Sequence, residues 1–180
     1  QMFDLAGGDI GWANRKRKAT TRDPRERYVE IADRLCERGW FGQKTGRGFY
    51  LYEEGSRIGI EDPEVLDIIA GERSTKGIRA REYSPEEIIR RYIGAMVNEA
   101  AKVLEEKVAR CPSDIDVVQH YGYGFPRYRG GPMKYADMYG IRKIVEDIEE
   151  FSVEDPFFWK PSELLKTMAA QGQTFEDLNL

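Results

Sequence analysis

The chain has 180 residues, of which 41% are hydrophobic and 33% charged, and a formal net charge of −4 at pH 7. This length allows one domain or two small ones with a hydrophobic core, and the acidic balance argues against nucleic acid as a partner. No apolar run approaches the roughly 20 residues that a membrane helix needs, so we expect no membrane span and a cytoplasmic protein.

The helix signals begin at Asp23-Pro24, which resembles a capped helix start, with apolar residues at helical spacing up to Gly39. A second start lies at Asp62-Pro63, in a helix that we expect to end at Gly71. Between them, residues 48–52 form the one strand-like run.

The clearest start is Ser84-Pro85, followed by two glutamates in the first turn. Apolar residues from Ile88 to Val108 then predict one long buried stripe, which Cys111-Pro112 ends. A short helix capped by Ser113 and stopped by Gly122 should follow.

The stretch 122–132 is too rich in glycine and proline for regular structure. Beyond it, apolar spacing predicts an amphipathic helix from Ile141 to Phe151. Pro161-Ser162 should open a last helix that ends at Gly172. The sequence therefore predicts an all-α fold with a short strand-like segment.

A short internal similarity links residues 2–7 with residues 135–140, because an Asp and a Gly keep the same spacing in both. The pairs are Asp4 with Gly7 and Asp137 with Gly140. If the similarity marks a repeat, the chain holds the tail of one copy and the whole of a second.

Four features have both a chemical and a structural interpretation. The basic run of residues 15–18 is interpreted as a solvated loop, and alternatively as a field for anionic ligands such as the phosphates of coenzyme A. His120 is the only histidine, and we expect it to pack at a helix end rather than to catalyse. The glycines of residues 122–127 follow a helix and not a strand, so a structural turn is favoured over dinucleotide binding. Cys36 and Cys111 are expected to be reduced thiols.

Asn98 and Glu99 lie within the apolar stripe of the long helix. A buried polar group without a hydrogen bond costs roughly 1–3 kcal/mol, so we expect these side chains to bond the irregular stretch of residues 122–132 or a neighbouring domain. Structural satisfaction is favoured over catalysis.

Several stretches together resemble the C-terminal region of 3-hydroxyacyl-CoA dehydrogenases, most closely the multifunctional enzymes that also carry enoyl-CoA hydratase activity. The matching stretches are residues 3–12, 33–37, 41–50, 97–100, 114–117, 122–126, 130–133 and 170–172. Their order and spacing span nearly the whole chain.

The resemblance implies a helical repeat of the 6-phosphogluconate dehydrogenase C-terminal-like type. Residues 1–55 would be the tail of a first repeat, 56–83 a connector, and 84–180 the second repeat. Because the chain starts at Gln1 and not at Met, we expect a larger parent protein.

The resemblance also implies the reaction, NAD-dependent oxidation of an L-3-hydroxyacyl-CoA to the 3-ketoacyl-CoA in β-oxidation. In the family a His–Glu pair of a preceding Rossmann domain, aided by an Asn, removes the hydroxyl proton. These positions lie outside the chain, and in the second repeat the Asn position falls near Arg90. We therefore expect no catalytic, NAD-binding or metal-binding residue here, and an inactive fragment.

The expected partners are the Rossmann domain, an enoyl-CoA hydratase domain, acyl-CoA and a second copy in a homodimer. The candidates for substrate or interdomain contact are Lys44, Arg47, Asn98, Glu99, Arg127 and Arg129. The exposed apolar groups Phe3, Leu5 and Trp12 should pack on the second repeat or on another copy. The alternative function is a non-enzymatic helical interaction module that retains the family fold.

Overall fold

The computed structural model describes residues 1–179 and separates into two compact units, Gln1–Arg81 (unit 1) and Glu82–Leu180 (unit 2). Helices dominate both units, which confirms the predicted all-α class. The strand-like run of residues 48–52 takes part only in isolated antiparallel bridges, Arg47 with Leu51 and Leu51 with Ile60. No helix within residues 1–179 is both long and apolar enough to cross a membrane.

Unit 1 contains four helices and two 3₁₀ turns. The helices are α1 (Met2–Ala6), α2 (Gly8–Lys18), α3 (Ile31–Glu37) and α4 (Pro63–Thr75), and the turns are Ala19–Thr21 and Gln43–Thr45. Residues 56–83, expected as a connector, contain α4. The buried carboxylate of Glu72 on α4 accepts the backbone N–H of Glu30 at 2.9 Å and pairs with Arg34 at 3.2 Å. These bonds hold α4 against the start of α3.

Unit 2 contains five helices arranged around a long first one. They are α5 (Pro85–Glu105), α6 (Pro112–Tyr123), α7 (Pro132–Tyr139), α8 (Ile141–Ser152) and α9 (Glu163–Gln171), with 3₁₀ turns at Arg127–Arg129 and Glu176–Leu178. Helices α7, α8 and α9 all pack on α5. The fully buried members of this core include Val97, Ala101, Ile148, Leu165 and Met168.

The predicted caps form at three helix starts. Asp62 accepts the N–H of Glu64 at 3.0 Å, Ser84 that of Glu87 at 3.2 Å, and Ser162 that of Leu165 at 3.2 Å. Each bond satisfies one of the backbone donors that a helix start leaves unpaired. The helices α4, α5 and α9 thus begin where their sequence signals place them.

The helix predicted from Asp23-Pro24 is wrong, because α3 begins only at Ile31. The carboxylate of Asp23 is occupied by Arg25, whose backbone N–H donates to it at 2.9 Å and whose guanidinium donates at 2.7 Å. Residues 23–26 therefore close a turn instead of starting a helix, and Glu26 donates its N–H back to the Asp23 carbonyl at 3.0 Å.

Other predicted helix bounds also need correction. The basic run of residues 15–18 is the last turn of α2 and not a loop, an arrangement that the partial negative charge of a helix C-terminus favours. Helix α4 continues past Gly71 to Thr75. Helix α5 ends at Glu105, ahead of Cys111, because Lys107 adopts a left-handed conformation with φ of 58°.

Helix α6 also differs from its prediction at both ends. Its N-cap residue is Cys111, not Ser113, and no side chain caps it. It ends at Tyr123, and the residue that stops it is Gly124, in the left-handed conformation with φ of 68°, and not Gly122. The expected irregular stretch is thereby shortened at its start.

The internal similarity has a structural counterpart. In unit 1 the carboxylate of Asp4 accepts the N–H groups of Phe49 and Tyr50 at 2.9 and 3.1 Å. In unit 2 the carboxylate of Asp137 accepts those of Phe175 and Glu176 at 2.7 and 3.0 Å. We call this arrangement the carboxylate clamp.

The same two segments agree in their backbone as well. Gly7 and Gly140, three residues after each Asp, have φ of 88° and 106° and each separates two helices. Further along, Gly39 and Gly172 have φ of 76° and 67° at the ends of α3 and α9. The order of helices and left-handed glycines from α1 to α3 therefore corresponds to that from α7 to α9.

Candidate interaction site

A concave surface of the described chain lies in unit 2, between α5 and the segment that runs from α6 to the turn Arg127–Arg129. We call it the α5–α6 groove. Its first lobe has a volume of about 400 Å³. The apolar residues Ile88, Tyr92 and Ile93 of α5 line one side, and Phe125 and Tyr128 line the other.

A second lobe of about 440 Å³ continues the groove along α5. Val103 and Val118 contribute apolar surface, while Glu99 and Asp114 add carboxylates. The residues Met96, Gln119 and Tyr123 line both lobes, so the two form one continuous surface.

The groove is bordered by side chains that a monomer would ordinarily bury. Tyr92, Tyr123 and Tyr128 expose 66%, 78% and 80% of their surface, and Ile88 and Val118 more than half. Contiguous exposed apolar groups of this kind mark interaction surfaces. The arrangement can pack a partner, but its lining offers no base and nucleophile in hydrogen-bonding contact.

Two of the six candidate residues lie beside this groove with their charge unneutralised. Arg129 lines the first lobe, donates to the hydroxyl of Tyr128 at 3.2 Å and lies over the Tyr135 ring at 5.4 Å. That hydrogen bond raises the pKa of Arg129 above its ordinary value. Arg127 lies over the Tyr121 ring at 5.8 Å. Neither guanidinium forms an ion pair with a carboxylate of residues 1–179.

The two candidates of unit 1 are engaged in ion pairs. The ammonium group of Lys44 lies 2.6 Å from the carboxylate of Asp9. Arg47 contacts Asp62 at 2.7 Å and Glu64 at 2.9 Å, and its guanidinium stacks 3.5 Å from the centre of the Trp40 ring. The bond to Arg47 lowers the pKa of the buried Asp62 carboxyl. Arg47 therefore connects the bridged segment to the start of α4.

Asn98 is buried and hydrogen-bonded, but its partners lie in the segment before α9 and not in residues 122–132, where the sequence placed them. Its amide donates to the carbonyl of Lys160 at 2.9 Å and accepts the N–H of Ser162 at 2.8 Å. It thereby fixes the segment that leads into α9. Glu99 faces the opposite way, is exposed, and lies 3.4 Å from Lys102.

His120 and the glycine-rich stretch take structural positions. The Nδ1 atom of His120 lies 3.1 Å from the carbonyl oxygen of Phe125, and the two rings meet edge to face at 6.1 Å. Gly124 ends α6, and the N–H of Phe125 donates to Gln119. A pyrophosphate site needs free N–H groups between a strand and a helix, so these residues do not fit a dinucleotide.

Of the three apolar residues predicted to pack on the second repeat or on another copy, two pack within unit 1 and one stays exposed. Phe3 packs edge to face on Phe49 at 5.0 Å, and Trp12 lies against Phe41 at 6.3 Å, both within unit 1. Leu5 keeps 60% of its surface exposed.

Residues 1–179 contain no group of three potential metal ligands, and neither Cys36 nor Cys111 forms a disulfide.

The exposed face of α5 was not predicted from the sequence. It assigned Ile88 and Tyr92 to the buried stripe, whereas the structure leaves both largely exposed. The width of the apolar stripe could have predicted this face. Neighbouring apolar residues, such as Ile88 and Ile89, spread around more of the helix surface than one packing face can bury. Tyr128 had no such signal, because it lies in an irregular segment.

Comparison with known proteins agrees with this architecture. The family model described as 3-hydroxyacyl-CoA dehydrogenase, C-terminal domain, matches two stretches, residues 1–52 and 88–176. The peroxisomal bifunctional enzymes of Danio rerio and Homo sapiens are 41% and 39% identical over 96% of this chain.

A solved structure shows the same fold. The dehydrogenase part of multifunctional enzyme 1 from C. elegans superposes with a TM-score of 0.67 at 25% identity, over 92% of this chain and 37% of that one. The chain spans 26% of the length of the two curated relatives. It belongs to the family of 3-hydroxyacyl-CoA dehydrogenase C-terminal domains.

Proposed function

We propose that the chain is the C-terminal portion of an NAD-dependent L-3-hydroxyacyl-CoA dehydrogenase of fatty acid β-oxidation. The observation that carries this proposal is the family match over residues 1–52 and 88–176. The family is NAD-dependent, and a preceding Rossmann domain would bind the cofactor and supply the catalytic pair. The role of this chain is to provide packing surface for that domain and for the acyl-CoA side of the cleft.

We further propose that residues 1–55 are the tail of a first repeat and 84–180 a second repeat, joined by residues 56–83. The two carboxylate clamps, at Asp4 and Asp137, support a repeat. Within unit 2, α5 packs on α7, α8 and α9. A helix equivalent to α5 would have to come from another part of the parent protein to complete the first repeat.

The partners proposed are the Rossmann domain, an enoyl-CoA hydratase domain, acyl-CoA and a second copy of the chain. Names of relatives support the first two, because the vertebrate relatives are called bifunctional. Arg127 and Arg129 are the candidates that retain unneutralised charge for a phosphate or carboxylate. The cytoplasmic location stays a prediction. Because some relatives are named peroxisomal, fluorescence imaging of the tagged parent protein in cells would test it.

The test compares this chain with its parent. NADH formation from L-3-hydroxybutyryl-CoA should be absent with the isolated chain and present with the parent protein, because hydride transfer requires a bound cofactor held in register with substrate. Turnover by the isolated chain would overturn the proposal. So would a parent without this activity.

Contact with acyl-CoA is tested separately in the parent. The double variant Arg127→Ala/Arg129→Ala should raise the KM for acyl-CoA several-fold, and the effect should shrink with added salt, since charge attraction is screened. Arg110→Ala is the matched control, because Arg110 is exposed and pairs loosely with Asp114 at 3.4 Å. An unchanged KM with normal folding would exclude Arg127 and Arg129 from contact with acyl-CoA.

A further inference from the structure

The start of α6 is capped from a distant part of the chain. Its own N-cap residue, Cys111, forms no side-chain cap, and Pro112 has no N–H to donate. The N–H of Ser113 instead donates to the side-chain oxygen of Asn179 at 2.9 Å. Asn179 directly follows the 3₁₀ turn Glu176–Leu178, so this turn serves the start of α6 across 66 residues of sequence.

Two further caps lead from α6 back to the same turn. The carboxylate of Asp116 on α6 accepts the N–H groups of Met133 and Lys134 at the start of α7. The carboxylate of Asp137 on α7 accepts two N–H groups at the start of the turn. The turn therefore caps α6, α6 caps α7, and α7 caps the turn. We call this closed cycle the capping ring.

The members of the capping ring are rigid where they meet. The carboxylate of Asp177 closes the turn on itself by accepting both the N–H and the hydroxyl of Thr174 at 2.8 Å. Phe175, only 1% exposed, anchors the turn in the core. Between α6 and α7, Gly131 permits a close approach, because a Cβ there would lie 2.3 Å from the Asp116 carboxyl. A member that moves away therefore leaves polar groups of its neighbours without partners, which is costly.

We propose that α6, α7 and the turn Glu176–Leu178 open and close as one cooperative unit, held by the capping ring. This unit also fixes the segment between α6 and α7, which carries Arg127 and Arg129. One end of that segment is held by the N–H of Phe125, which donates to the carbonyl of Gln119 on α6, and the other end leads directly into α7.

The unit is discontinuous in sequence. Helices α8 and α9 lie between α7 and the turn along the chain, yet neither supplies a bond of the capping ring. All the bonds of the ring lie within unit 2, so the proposal requires no free surface and no partner. It goes beyond the proposed function and does not depend on it.

The experiment is amide hydrogen exchange of the full chain, followed by NMR under conditions in which the rates report on the opening equilibrium. Asn179→Ala removes the acceptor of the Ser113 N–H, and exchange there should become roughly fivefold faster, as for the loss of a typical helix cap. Because the ring opens as a unit, the amides of Lys134 and Glu176 should become faster by the same factor.

The segment between α6 and α7 provides a second readout. The N–H of Gly130, which donates to the Arg127 carbonyl at 3.1 Å, should also exchange faster in Asn179→Ala. Amides in the middle of α8, such as that of Ile148, should keep their rates. Coupling between two sites is reciprocal, so Asp137→Asn, which retains one acceptor oxygen, should speed exchange at Ser113 as much as at Glu176.

Two variants serve as controls. Asn179→Asp keeps a side-chain oxygen that can accept the Ser113 N–H and should restore the original rates. Ser84→Ala removes a cap that lies outside the ring, since Ser84 accepts the N–H of Glu87 in its own helix at 3.2 Å. This variant should speed exchange in the first turn of α5 and leave Lys134 and Gly130 unchanged.

Three results would overturn the proposal. Asn179→Ala could speed exchange in the first turn of α6 alone, Asp137→Asn could leave Ser113 unchanged, or Ser84→Ala could match Asn179→Ala at Lys134. Each result would show that the caps act independently. None of these measurements involves NAD or acyl-CoA, so the failure of this proposal and the failure of the proposed function are distinguishable.

Discussion

Replacing Asn98 by alanine should destabilise unit 2 strongly, because the buried side chain bonds two backbone groups, the part-buried Lys160 carbonyl and the buried Ser162 N–H. Its removal leaves the Lys160 carbonyl and the Ser162 N–H without their partner at 2.9 and 2.8 Å. An unsatisfied buried group costs about 1–3 kcal/mol, so we expect a loss of about 3 kcal/mol in the free energy of unfolding. For a unit of this size that corresponds to roughly 15 °C in Tm.

Asn98→Asp should be at least as damaging at neutral pH. A carboxylate can still accept the Ser162 N–H, but it would face the Lys160 carbonyl oxygen with no proton to donate. Glu99→Ala is the neighbouring control. Because Glu99 is exposed and its pair with Lys102 is loose, this change should stay within about 0.5 kcal/mol.

The assay is urea unfolding followed by tryptophan fluorescence. Trp159 is buried beside the Asn98 bonds and packs 5.1 Å from Phe151. With Trp12→Phe and Trp40→Phe as background, it is the only tryptophan left, so the signal reports on unit 2 alone. If Asn98→Ala unfolds within about 0.5 kcal/mol of its background, or if Glu99→Ala matches it, the structural role assigned to Asn98 is refuted.

Three further predictions concern single sites. Burial and the bond to Asp4 raise the pKa of Tyr52 to about 12, and the pKa values of Tyr28 and Tyr139 are also raised. Tyr52→Phe should therefore remove one tyrosine's share of the absorbance change near pH 12. Stability from this group is present below about pH 10 and is lost as the pH rises through about 12. An early Tyr52 would contradict the geometry. Gly131→Ala should lower the free energy of unfolding by about 3 kcal/mol or more, because φ is 98° and the new Cβ would lie 2.3 Å from the Asp116 carboxyl of α6. Gly124→Ala, with open space around it, should lower it by about 1 kcal/mol. Equal losses in thermal melts would show that the close approach is absent. Ile148→Ala should lower the free energy of unfolding by about 3 kcal/mol, since the residue is fully buried. Val153→Ala should change it by no more than about 0.5 kcal/mol, because Val153 is 86% exposed. Similar midpoints of chemical denaturation for both variants would refute the core assignment.

Local signals predicted the helices whose ends are fixed by their own side chains. Ser84, Ser162 and Asp62 each cap the helix that follows, and this information lies within four residues of the boundary. The left-handed glycine Gly172 ended α9 as expected. Such elements are readable because the residues that stabilise them are neighbours in sequence.

Helix α7 shows why other elements were not predicted. Its first N–H groups, of Met133 and Lys134, donate at 2.8 and 3.0 Å to Asp116 on α6, a residue distant in sequence. A cap supplied from another helix leaves no local pattern. The start of α2 is similar in that Gly8 donates to the carbonyl of Phe41.

The candidate site was predictable only in part. That Asn98 would be hydrogen-bonded follows from the cost of burying an amide, but its partners, Lys160 and Ser162, were not predicted because they lie more than 60 residues away. That Lys44 and Arg47 would be neutralised by Asp9 and Asp62 could not be inferred, because the partners come from α2 and from the residue before α4. Charge in a sequence does not reveal which cations the fold leaves unpaired.

The carboxylate clamp sets a lower limit on how far either unit can be shortened. A chain cut after Gly172 would retain all of α9, yet Asp137 would lose the N–H groups of Phe175 and Glu176. In unit 1, an excision of residues 49–52 would remove the two N–H groups and the Tyr52 hydroxyl that donate to the buried Asp4 carboxylate. Expression boundaries drawn at helix ends would therefore yield unstable protein, whereas boundaries drawn beyond the clamped segment would preserve it.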